Sequence, residues 1–135
     1  MPAGATYEPI ATASGNGTTA TVTFSSISGS YTDLVIVANV LSTTSQYLRL
    51  RFNGDTGSNY SWTYLGGVGT VADTGRSSNQ TNAFVGAPGI GFSSTIPMFS
   101  RISIFNYAGS TNKTLLSEVS FDNNGSGDVY RFVLS

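Results

Sequence analysis

The sequence predicts an all-β fold: a single antiparallel β-sandwich, jelly-roll-like, with an N-terminal arm. Three observations predict it. Apolar and polar residues alternate with period two through most of the chain. β-branched and aromatic residues are frequent while helix-favouring patterns are absent. Turn clusters rich in glycine, asparagine and serine recur at short intervals, as in SGNG (14–17), SGS (28–30), NGDTGS (53–58), GSTN (109–112) and NNGSG (123–127). Many short strands punctuated in this way build sandwiches and jelly rolls. A chain of 135 residues suffices for one domain. The expected division is an arm over residues 1–6 and the sandwich over 7–135.

Taken in order, the expected strands cover residues 7–13, 20–25, 34–41, 46–53, 59–65, 81–86, 99–107, 113–122 and 128–134. In the second, Val22 and Phe24 share one face. The third, LVIVANVL, is apolar on both faces. It reads as a central, doubly covered strand, or as one whose outer face a neighbouring subunit covers. In the fourth, Leu48, Leu50 and Phe52 form a core face, and Tyr47, Arg49, Arg51 and Asn53 lie opposite. In the fifth, Tyr60, Trp62 and Tyr64 share a face. Ile102 and Ile104 pair on the seventh strand, with Arg101, Ser103 and Phe105 opposite. Leu115, Val119 and Phe121 face one way on the eighth, and Leu116 and Glu118 the other. Residues 66–91 hold seven glycines and one proline and read as a long loop, a length that is usually functional or disordered. Residues 1–6 carry nothing able to anchor a core, and such arms often order on a partner.

Composition narrows the chemistry. Charged residues make up 10% of the chain, with a net charge of −1, against roughly 25% in ordinary soluble domains. No general attraction to nucleic acid or anionic lipid is expected. Cysteine and histidine are absent, which removes disulfides, thiolate sites, a serine–histidine triad and the commonest metal ligand. The opening MPAGATYEPI has no basic region followed by an apolar run, so it is not a secretory signal, and synthesis in a cytoplasm is expected. The longest apolar run is too short to cross a bilayer as a helix.

The stretch QYLRLRFNGDTGSNYSWTYL (46–65) is the most informative. If its two strands form a hairpin, Arg49 and Arg51 meet Tyr60, Trp62 and Tyr64, with guanidinium planes on rings. That surface suits a subunit interface or a sugar platform. Cross-strand packing, or plain burial of the aromatics, is the structural alternative. NGDTGSNY offers Asn53, Asp55 and Asn59 as oxygen ligands but lacks the calcium-loop pattern, and reads as a turn. A glycosidase needs two facing carboxylates. Those here are Glu8, Asp33, Asp55, Asp73, Glu118, Asp122 and Asp128, mostly in turns or arms, where capping and solvation are the simpler roles. Five Asn-x-Ser/Thr triplets, at Asn16, Asn59, Asn79, Asn112 and Asn124, match what this composition yields by chance. GAPGIG (86–91) lacks the lysine of a phosphate loop.

PAGATYEPIAT with VTFSSISGSYTDLVIV, the LRLRFNGDTGSNYSWTYL stretch and RSSNQTNAF together resemble a group of small virion proteins of tailed bacteriophages, cyanophages among them. NYAGSTNKTLLSEVS resembles that group's matching strand pair more loosely. The resemblance implies a virion structural protein, either capsid decoration (cement) or a tail-fibre-like adhesin. It implies no enzyme, no catalytic residues, no cofactor and no metal. Longer relatives continue past a tryptophan–arginine strand. Here Tyr130, Arg131 and Phe132 stand near that place and the chain stops at Ser135, so a smaller sandwich or a strand borrowed from a neighbour is expected. No heptad or repeat supplies a fibre shaft, which favours cement. The expected partners are the chain itself, as a homotrimer of the kind cement proteins form, and the major capsid protein. A host surface glycan is the alternative ligand, and the expected location is the virion. The expected contact residues are Pro2, Tyr7, Tyr47, Arg49, Arg51, Tyr60, Trp62 and Tyr64.

Overall fold

The computed structural model describes residues 7–18, 21–43, 47–68, 70–86, 94–121 and 128–134, with Val68 and the last stretch described by backbone alone. The architecture is all-β. Its strands are β1 (Leu34–Val40), β2 (Arg49–Leu50), β3 (Tyr60–Val68), β4 (Val71–Gln80), β5 (Ala83–Phe84), β6 (Met98–Phe105), β7 (Thr114–Phe121) and β8 (Asp128–Leu134). Six form one antiparallel sheet in the order β1-β6-β7-β8-β3-β4, and β2 and β5 pair as a second, two-stranded sheet. The two make a sandwich-like arrangement. Among the described residues, strands divided six and two do not trace a complete jelly roll.

Alternation explains the layering. Leu34, Ile102, Ile104, Leu115 and Val119 are buried on one face of the large sheet. Ala83, Phe84 and Val85 are buried against them from the small sheet, while Leu48, Leu50 and Phe52 pack on partly buried. The core face predicted for residues 48, 50 and 52 therefore forms, as do the inward faces of the strands at 99–107 and 113–122. Val85 N–H donates to the Leu48 carbonyl at 3.1 Å, extending the β2–β5 ladder by one step, and the buried Ser117 hydroxyl donates to the Val85 carbonyl at 2.9 Å, tying the small sheet to the large one. Each satisfies a backbone group that would otherwise be desolvated without a partner.

Four expectations are corrected. Residues 71–80, read as loop, form β4, which returns along β3 in register from Val68↔Val71 to Trp62↔Ser77. Glycine content hid it, because Gly75 is not a breaker here. The Tyr64 ring lies over its Cα, and a Cβ would come 2.5 Å from the ring. Close packing of one strand's ring on its neighbour's backbone selects glycine in a strand interior. Second, β1 is not central but lies at a sheet edge, beside β6 only, and Val37 on its outer face is 64% exposed. Third, the expected 46–53/59–65 hairpin does not form, since β2 pairs with β5 while β3 sits between β8 and β4. Only Arg49 and Leu50 of the first run are strand. Fourth, residues 7–13 and the described part of 20–25 are not strands, and Val22 and Phe24 are exposed. β-Propensity does not make a strand unless pairing and burial follow. The arm at 1–6 lies outside the described residues. β8, the strand at the expected departure from the resemblance, pairs with β7 and β3 of its own chain.

Candidate functional site

The aromatic residues singled out on β3 gather, but around a different partner. Trp62 lies with its ring centroid 5.7 Å from that of Phe84 and 5.8 Å from that of Tyr64. Tyr47 meets the other side of Phe84 edge-on, at 5.2 Å and 61°. The result is a ladder Tyr47–Phe84–Trp62–Tyr64 between the two sheets, with the spacing and tilt that aromatic quadrupoles favour. Tyr64 donates its hydroxyl proton to Asp73 at 3.0 Å. Desolvation, and then that carboxylate, push its phenol above the ordinary tyrosine value. Tyr60, Trp62 and Tyr64 are all half-buried on the core-facing side. Phe84 was the residue missed. The only signal for it is the short apolar run Ala83–Val85 inside a glycine-rich stretch.

The arginines point elsewhere. Arg49 and Arg51 are exposed, and Arg51 Nε donates to the Thr81 carbonyl at 3.1 Å. They lie on the small sheet and the turn after it, so the expected arginine–aromatic stack on β3 is not assembled. Tyr7 is exposed and on the other side of the molecule. Its hydroxyl accepts from Arg101 on β6 at 3.4 Å, and Arg101 pairs with Glu118 at 3.4 Å. Pro2 lies outside the described residues. The seven described contact residues thus do not form one patch. Tyr47, Trp62 and Tyr64 share the ladder with Phe84, Arg49 stands opposite Phe84 in the β2–β5 register, Tyr60 sits below the turn, and Arg51 and Tyr7 are separate.

The 53–59 turn and the 109–113 turn flank a cleft of about 250 Å³, floored by Phe52, Tyr60, Ala83 and Leu115 and rimmed by Asn53, Asp55, Asn59, Asn112 and Lys113. Its charged groups are committed to the turns themselves. The Asp55 carboxylate accepts from Gly57 N–H at 2.8 Å and from the Asn59 amide at 3.0 Å. Those two bonds, the Asn59 one foremost, hold its pKa below the ordinary carboxylate value. Lys113 Nζ donates to the Gly109 carbonyl and to that of Thr111 at 3.0 Å. This is the turn that the residue types predicted, with Asn53 and Gly54 at positive φ.

The other described carboxylates likewise have structural work. Asp33 accepts from Asn106 N–H at 2.8 Å, which fixes the β6–β7 turn. Glu8 raises the Tyr31 phenol by charge and hydrogen bond, after the larger effect of desolvation. Among the described residues no three histidine, cysteine or carboxylate groups converge as a metal set, and no helix is long and apolar enough to cross a membrane.

What remains unexplained by the fold is apolar and outward. On the far face of the large sheet Leu65 is 64% exposed and Phe99 47%. Val37 joins them on the same face, in register with Arg101 and Glu118. Compared with protein families, with characterised proteins and with solved structures, the chain matches none.

Proposed function

We propose that this chain is a non-enzymatic structural protein of a tailed-phage virion, a capsid cement protein that binds the major capsid protein and copies of itself. The observation that carries the reading is the outward display of Val37, Leu65, Phe99 and Phe105 by a chain with only 10% charged residues. Apolar surface of this kind is removed from water by docking, at about 25 cal/mol per Å² before association costs. The resemblance of its first two-thirds to small phage virion proteins names the setting. The threefold assembly of cement proteins, formed at threefold positions on the shell and not by the isolated protein, belongs to the same proposal.

The test is a count and a reconstitution. Purified particles should carry hundreds of copies over the shell, and shells lacking the protein should bind it and withstand higher temperature. A handful of copies at the tail would replace cement by fibre. A second reading, a glycan-binding adhesin, draws on the ladder, whose outermost ring is Tyr47. Glycan-array binding that Tyr47→Ala abolishes would favour it. Trp62 is a poorer probe, because its removal also disturbs the core.

A further inference from the structure

The two edges of the six-stranded sheet are built differently. β4 carries the devices that discourage strand addition. Asp73 and Arg76 are charged, and a bulge opposite Tyr60–Trp62 places Asn79 at φ 56°. β1, at the other edge, has none. Its sequence LVIVANV contains no charge, proline or glycine, its register with β6 is unbroken over seven residues, and Val37 at its centre is 64% exposed. Among the described residues no backbone hydrogen bond continues the sheet beyond it. Alternate residues of such an edge aim N–H and C=O groups outward, a template for another strand.

We infer that β1 pairs antiparallel with β1 of a second copy across a twofold axis at Val37, joining the two large sheets into one. The occupant follows from self-complementarity. Centred on Val37, the pairing sets Leu34 against Val40, Val35 against Asn39, Ile36 against Ala38, and Val37 against itself. No pair is charged, and every apolar side chain but Val35 meets an apolar one. A net charge of −1 per copy opposes the approach little. An isologous contact also occupies both β1 edges at once, so that growth stops at two. This inference does not depend on the virion reading. It uses a surface that a threefold contact does not require, and it predicts a different stoichiometry for the isolated protein.

Light scattering of the purified protein should give twice the 14.1 kDa of the chain. Val37→Lys sets two ammonium groups opposite each other and should weaken the dimer about tenfold, with the β-sheet circular dichroism unchanged because the side chain is exposed. The chain has no cysteine, so Val37→Cys should cross-link in mild oxidant far faster than Val71→Cys, an equally exposed position on β4. A monomer, a trimer, a dimer that Val37→Lys leaves intact, or equal cross-linking of the two cysteine variants would each overturn the pairing. If Val37→Lys lost its fold, the cysteine pair would decide alone.

Discussion

Two buried serines show how much a single hydroxyl depends on its partner. Ser117 and Ser100 are both fully buried on the core face. Ser117 bonds the Val85 carbonyl and so ties the layers, whereas the Ser100 hydroxyl, among the described residues, meets no partner. Ser117→Ala should therefore cost ~1–3 kcal/mol, since it strands a buried carbonyl. Ser100→Ala should be neutral or slightly stabilising. Urea unfolding of the two variants separates them, and equal losses would show that packing rather than the hydrogen bond sets the cost. Gly75 is the other sensitive position. Gly75→Ala drives a methyl into the Tyr64 ring and should destabilise by ~1–3 kcal/mol, in the range of overpacked cores. It should also move the Tyr64 titration toward the ordinary value as the phenol leaves Asp73. Sequence spacing alone did not reveal either pairing, because both join residues from different elements.

At the scale of elements, the 53–59 turn is the part the sequence described best, and it carries a pH dependence of known sign. Its carboxylate, Asp55, has a folded-state pKa below 3.8, its ordinary value, because Asn59 and Gly57 donate to the ionised form. A lowered folded value means the stabilisation is complete above the unfolded pKa and is lost as pH falls through the folded one. The turn should stay ordered from neutral pH down to about 4 and loosen below that. The Gly57 amide proton resonance, followed by NMR, should shift only in that acid window. Asp55→Asn should remove the window. The β3–β4 hairpin makes the opposite point. Glycine-rich sequence suggested a loop, yet β4 forms because β3 supplies partners for its backbone and Tyr64 covers the glycine. Residues 21–25 have far better strand composition and stay unpaired, since no neighbour in the described chain takes them up.

Across the molecule, the large sheet has one face in the core and one bearing apolar side chains to solvent, in a chain with 10% charged residues and a net charge of −1. Any assembly through that face or the β1 edge should be held by apolar contact and strand pairing, with few ion pairs to screen. Raising salt from about 0.1 M to 1 M shortens the screening length from about 10 Å to 3 Å. The self-association constant, measured by analytical ultracentrifugation, should fall by less than about threefold over that range. A steep loss would instead place charged groups such as Arg49 or Arg51 at the contact, and would return weight to the arginine-based interface that the sequence suggested.

The sequence by itself determined the all-β class, most strand positions after residue 34, the inward faces of Leu48, Leu50, Ile102, Ile104, Leu115 and Val119, and the turn at 53–59. These follow from period-two alternation and local turn chemistry, which are written in neighbouring residues. Only the tertiary structure decided which strand lies beside which. It set β1 at an edge, parted the expected hairpin, brought Phe84 to Trp62 and placed Arg49 on the small sheet away from β3. Pairing order in a sheet is a contest between distant segments for the same hydrogen bonds and the same buried area, and its outcome is not carried by the period of any one strand.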